Sequence, residues 1–199
     1  MLARLLEECP EQSKPDFPKG FGGGIAHRLD NATSGIVLAA RDVESLAVAR
    51  GRFQERGLQK RYQFLTAGDV PWKEHRIVLP IAHHKRRRRK MIVQRGRHTP
   101  HRGKWYPAET RLRMLRRHHW EAVITTGVMH QIRVHAAHVG LPLLGDRLYG
   151  GAAIPDEAAP ADDLFTLHHE TMEGLIANAP ELPPPAWWTP LVSYCQRAT

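Results

Sequence analysis

His27-Arg28-Leu29-Asp30-Asn31-Ala32-Thr33-Ser34-Gly35-Ile36-Val37-Leu38-Ala39-Ala40-Arg41 divides into a polar half and an apolar half. Residues 27–34 carry an imidazole, a guanidinium, a carboxylate, an amide and two hydroxyls. Residues 36–40 are a short apolar run of strand-like composition. Gly35 separates the halves and lets the backbone bend where a side chain would block it. The pattern predicts polar chemistry held at the mouth of a buried strand, where a rigid element can position it. A loop feeding a core strand, with Asp30 as a cap or turn residue, is the plainer account of the same residues.

Working outward, Asp42 has the side chain of an N-cap. Val43, Leu46, Ala47 and Phe53 then share one face of a helix that ends near Gly57. Lys60 to Thr66 alternates Tyr62, Phe64 and Thr66 against Arg61, Gln63 and Leu65, which predicts a strand. Upstream, residues 1–8 have apolar side chains at helical spacing. Residues 9–24 hold three prolines and four glycines, the composition of a mobile loop. The Gly22-Gly23-Gly24 triplet lacks the GxxxxGK[ST] pattern and a following helix signal, so it is not a phosphate-binding loop.

Downstream, Ile77 to Ile81 and Met91 to Val93 are apolar pieces, and Arg95 to Lys104 is basic and turn-rich. Thr110 to Leu115 and Trp120 to Thr125 read as two strands joined by a basic turn at residues 116–119. Ile132, Ala136 and Val139 share a helical face. Gly140 suits the C-terminal cap and Pro142 stops the helix. Residues 152–163 form an Ala, Pro and acid-rich surface loop. Leu164 to His168 is the last expected strand, and Pro180 to Pro190 is expected to be extended.

The chain has 199 residues, 42% of them hydrophobic, enough for a sizeable core. Its 29 Lys and Arg against 20 Asp and Glu leave a net charge of +9. A pI near 10.1 predicts attraction to polyanions, nucleic acid foremost. The only cysteines, Cys9 and Cys195, form neither a disulfide framework nor a zinc signature, which fits a reducing compartment. No apolar run approaches the roughly 18 residues that span a bilayer. No signal-peptide core precedes Glu7 and Glu8. A cytoplasmic protein is expected.

Three sets of residues invite chemistry. His130, His135 and His138 cluster, but their spacing does not share one helical face and lacks an HExxH pattern, so packing or RNA contact explains them better than a metal. Residues 83–90 hold six fixed positive charges, from Lys85 to Lys90. That run can be a localisation-like patch, a flexible charged loop or a phosphate-binding surface. A polyanion would relieve its self-repulsion and release counterions. Asp30 and Arg133 lie far apart in sequence. If they met, the guanidinium would keep the carboxylate ionised and fix its orientation. Such a carboxylate can attack a sugar carbon or abstract a proton. Two unrelated ion pairs are the alternative.

The blocks HRLDNATSG, KRYQFL, KMIV with AETRLRML, HQIRVHAAHVGLPLLGDRLYG and Leu167-His168 occur in this order. Together they resemble the RluA-like family of RNA pseudouridine synthases over roughly residues 1 to 170. The resemblance implies an α+β fold, a single pseudouridine-synthase-type catalytic domain over residues 1–199. Its sheet would be mixed, largely antiparallel and flanked by helices, with residues 171–199 as a Pro/Trp-rich tail. It implies isomerisation of uridine to pseudouridine in structured ribosomal or transfer RNA, with no metal or organic cofactor. By position, Asp30 matches the catalytic aspartate, acting as nucleophile at C1′ or base at C2′. Tyr62 matches the tyrosine that stacks on the base and assists removal of the C5 proton. Arg133 matches the arginine paired with the aspartate, and Arg28 the one that fills the space left by the flipped nucleotide. Lys85, Arg86, Arg87, Arg88 and Arg89 would supply phosphate contacts.

The sequence departs from that pattern in places. Residues 1–26 read as helix and loop without the family's first strand and its Lys-Pro segment. Val128 and Met129 stand before His130 where the family often carries a basic residue. No S4-like RNA-binding domain is expected, so substrate choice is expected to rest on the catalytic domain. A monomer is the expected state. The rival readings are a non-catalytic RNA-binding relative and, more remotely, a basic metal-binding protein.

Overall fold

The computed structural model describes residues 2–155, 158, 163–175 and 179–197. Its centre is β2 (Gln59–Leu65), where Lys60, Tyr62 and Phe64 turn to the buried side. β2 runs antiparallel to β8 (His119–Ile124) and to β9 (Leu167–Glu173). β7 (Glu109–Arg116) pairs with β8, and β3 (Glu74–Val78) pairs with β7, both antiparallel. β1 (Ser34–Gly35) adds to β9 in parallel, giving a six-stranded sheet in the order β1-β9-β2-β8-β7-β3. The sheet is mixed and largely antiparallel, and with its helices it makes the fold α+β.

A second sheet of three antiparallel strands has the order β5-β4-β6, from β4 (Ile81–His84), β5 (Met91–Val93) and β6 (His101–Tyr106). Helix α1 (Leu2–Glu8) opens the chain, and the following loop holds two 3₁₀ turns, at Pro10–Ser13 and Gly22–Gly24. α2 (Val43–Gln54) is capped by Asp42, whose Oδ1 accepts from Ser45 N–H at 2.7 Å. α3 (Gln131–His138) ends at Gly140 with φ +86°, a conformation that glycine adopts without Cβ strain.

The main core joins Phe64, Leu112 and Trp120 on the sheet to Ile132 and Ala136 of α3 and to Leu141 and Leu143 beyond it. Burying each large side chain contributes roughly 1.5–3 kcal/mol. Val134 on α3 packs instead on Ile81, Met91 and Val93, so α3 is wedged between the two sheets. The first turns of α4 (Trp188–Arg197) bring Trp188 and Leu191 against Leu65 and Leu144.

Several expectations need correction. The run 36–40 is not a buried strand of the sheet: only Ala40 is buried. Ile36 still bonds to His169 through its N–H and its carbonyl, but beyond it the run folds back on residues 24–26 through Ala26 N–H to Leu38 O and Ala40 N–H to Gly24 O. On α2 the buried side chains are Leu46 and Ala49, while Val43 and Ala47 face solvent. Residues 101–104, the end of the run 95–104 expected to be basic and turn-rich, belong to β6. Within 180–190, α4 begins at Trp188, because two tryptophans and Leu191 find an apolar seat under the sheet.

Candidate active site

The polar stretch 27–34 reaches the sheet at β1, where Gly35 is required by contact. Its φ is +113°, and a Cβ there would lie 2.1 Å from the His169 carbonyl oxygen. This close approach sets Asp30 beside the C-terminal half of the chain. Asp30, Tyr62 and Arg133 line one cleft of about 420 Å³, together with Arg28 and Lys60. That volume lies within the range of small-molecule sites, about 300–1,000 Å³.

Arg133 holds the centre. Its Nη1 donates to Asp30 Oδ2 at 3.0 Å. Its Nε and Nη2 grip Asp146 in a bidentate pair at 2.7 and 2.9 Å. The guanidinium lies over the Phe165 ring at 4.2 Å and the Tyr149 ring at 5.2 Å. Burial works against its charge, but the bonds and attraction of Asp146 and Asp30 outweigh that and raise its pKa. The side chains of Asp146 and Arg133 are 1% and 8% exposed, whereas that of Asp30 is 22% exposed. The inner carboxylate therefore orients the guanidinium, and the outer one is presented to the cleft.

His130, just before α3, has φ 55°, the left-handed region that costs a non-glycine residue strain. Its Nδ1 shares a hydrogen bond with the Tyr149 hydroxyl at 3.0 Å, and its Nε2 lies 3.9 Å from Asp30 Oδ2. Tyr149 also accepts from Met91 N–H at 2.9 Å, tying the cleft to the second sheet. Burial holds His130 below its usual pKa.

Tyr62 is buried, and burial together with the Asp30 charge pushes its phenol well up. Its ring stacks on His169 at 4.5 Å and 15°. His169 Nδ1 donates to Ile36 O at 2.7 Å. Lys60, two residues before Tyr62, lies on the same buried face.

Arg28 is exposed at the rim, lining both the cleft and an adjoining groove. Lys85 to Arg89 do not line the cleft. They are exposed on the turn between β4 and β5, where His84 Nδ1 accepts from the Arg86 and Arg87 amides. The three clustered histidines are separated. His135 accepts from Thr110 Oγ1 and donates to Leu79 O, His130 faces Tyr149 and Asp30, and His138 ends α3. Among the described residues no group of three His, Cys, Asp or Glu could hold a metal, and no helix is long and apolar enough to cross a membrane.

Asp146 and Tyr149 were not singled out by sequence reasoning. The available signal was an acid immediately after the Leu-Pro-Leu-Leu-Gly run, where a carboxylate so near buried side chains requires a partner.

The mixed sheet thus carries an arginine-held aspartate and a buried tyrosine in one cleft. Comparison with known proteins is specific. The family described as RNA pseudouridylate synthase matches residues 3–138. Ribosomal large subunit pseudouridine synthase D of Pseudomonas aeruginosa is 32% identical over 185 residues, covering 89% of this chain and 56% of that protein. A chloroplastic RNA pseudouridine synthase 2 of Oryza sativa subsp. japonica is 37% identical, covering 75% of this chain and 39% of that one. The solved human RNA pseudouridylate synthase domain containing 1 superposes with a TM-score of 0.69 at 25% identity, covering 86% of this chain and 72% of that chain. The chain belongs to the RluA-like family of RNA pseudouridine synthases. It spans about half the length of the curated relatives it matches.

Proposed function

We propose that the protein isomerises uridine to pseudouridine in ribosomal or transfer RNA, with Asp30 acting on the ribose of an everted nucleotide. The observation that carries this reading is the Asp30–Arg133 bond at 3.0 Å in a cleft shared with Tyr62. In the reaction the N1–C1′ bond breaks while Asp30 attacks C1′ or takes the C2′ proton. The base turns, a C5–C1′ bond forms, the C5 proton is lost and N1 gains one. Nothing is added or removed overall. Tyr62 stacks on the base near C5, Arg133 aims the carboxylate, and Arg28 at the rim fills the gap left in the RNA. Everting a base costs a few kcal/mol, and phosphate contacts from the Lys85 to Arg89 turn offset that cost.

Release of tritium from C5-labelled uridine in RNA tests this directly. The wild-type protein should release label. Asp30→Asn should bind RNA with unchanged affinity and release none, because the shape remains while the charge at the sugar is lost. Equal release from both proteins removes Asp30 from the reaction. Tight RNA binding with no release by the wild type identifies a non-catalytic relative.

A further inference from the structure

Lys60 is a buried cation with little to hold it. The residue is 5% exposed, yet its side chain lines the cleft. Its Nζ donates to Thr126 O at 2.9 Å, lies 5.6 Å from the centre of the Phe53 ring, and would be 3.2 Å from a Cβ at Gly127. An ammonium has three donors, and the described residues take one. Among the described residues no carboxylate offsets its burial: desolvation acts on it, drawing its pKa to about 8. The neighbouring rings of His27 and His169 are held neutral, at about 4. An unpaired buried cation costs stability, and the fold gains only one carbonyl contact from it. Such a group in a cleft points to a ligand that carries negative charge.

Resting on the reading of this cleft as a pseudouridine synthase site, we infer that Lys60 donates to a carbonyl oxygen of the detached uracil and stabilises the base while it is an anion. Position supports this assignment. Lys60 precedes Tyr62 on the same face of β2 at two residues' distance, about 7 Å along a strand, so its ammonium reaches the edge of a base lying against Tyr62. When N1–C1′ breaks, the electron pair stays with the base and spreads over N1, O2 and O4. This holds whether Asp30 has bonded to C1′ or has taken the C2′ proton to leave a C1′=C2′ double bond. On rejoining, C5 bonds to C1′, and the carboxylate departs or returns its proton to C2′. Lys60 keeps its own protons throughout and leaves the balance unchanged. A fixed cation aimed where charge develops favours the cleavage step more than binding.

The test uses the RNA in which the wild type forms pseudouridine, transcribed with uridine or with 5-fluorouridine. Fluorine at C5 withdraws electrons and makes the base a better anion without help. Disappearance of the target nucleoside under single-turnover conditions is followed for wild type, Lys60→Met and Lys60→Gln. Lys60→Met should slow uridine conversion by about 10²-fold, the scale of removing one oxyanion donor. RNA affinity should stay within about twofold, and the deficit should shrink several-fold on the fluorinated RNA. Lys60→Gln, which keeps a neutral donor, should fall between. An unchanged rate, an equal deficit on both RNAs, a loss seen in affinity instead, or a failure of both variants to fold would each overturn the assignment. A wild type that forms pseudouridine in no ribosomal or transfer RNA would overturn the parent reading, and this one with it.

Discussion

Arg133 serves two carboxylates of different exposure, and that asymmetry divides their work. Asp146 is sealed in and takes two of its N–H groups, while Asp30 takes one and faces the cleft. Removing one partner of a buried pair leaves the other charge uncompensated, at about 3–5 kcal/mol. Asp146→Asn should therefore lower the melting temperature and let the guanidinium swing away from Asp30. Tritium release should fall at least about tenfold through kcat, since misplacing a reacting group is costly, with RNA affinity little changed. Thermal melts and single-turnover release measured on one preparation check this. A lower melting temperature with full activity would make Asp146 a support of the fold alone.

Among the elements, the β4–β5 hairpin is the one whose sequence runs ahead of any packing need. His84 closes its turn through two amides, and Lys90 N–H donates to Arg87 O, so five consecutive cations are displayed on an ordered tip. Changing Arg86, Arg87, Arg88 and Arg89 to Gln should weaken binding to all RNAs alike and flatten the dependence of log K on log salt, by about 0.9 for each duplex phosphate that the protein no longer neutralises. Titrations at several salt concentrations measure that slope, and an unaltered slope would place the tip outside the interface. Elements were legible where apolar residues recur at a regular step: β2 and β7 alternate along much of their length, and α3 turns Ile132 and Ala136 to the main core. β6 was hidden because its cations and aromatics, Arg102, Lys104 and Trp105, leave no buried alternate face. The 36–40 run misled because apolar composition does not say whether a segment pairs with the sheet or with its own neighbours. At the site, Asp30, Tyr62 and Arg133 were legible as blocks in order. Their meeting depends on long-range contacts, such as Gly35 against His169, that spacing does not encode.

The whole molecule stores several neutral histidines, and this sets how acid should act on it. Burial is the main cause holding His27, His135 and His169 at about 4, against an ordinary 6.5. In the unfolded chain each ring gains a proton near pH 6.5, whereas in the folded protein it stays neutral until about pH 4. The unfolded state thus binds more protons across that window. The histidine contribution is complete above about pH 6.5 and falls as pH drops toward 4, at roughly 1.4 kcal/mol per pH unit for each histidine. Three such groups rival the roughly 5–15 kcal/mol that stabilises an ordinary domain. The net charge of +9 climbs further as exposed rings protonate, and self-repulsion adds to the loss. Glu109, held at about 2 by hydrogen bonds from Arg76 and Arg111 against an ordinary 4.5, begins to lose its contribution only at the foot of the histidine window. Denaturant midpoints should hold steady from pH 8 to 7, then fall steeply by pH 5, with unfolding before pH 4. His169→Phe, which keeps an aromatic ring against Tyr62, should shed about one proton's worth of that slope. A midpoint unchanged between pH 7 and 5 would mean that these rings are charged, or exposed, in the folded protein.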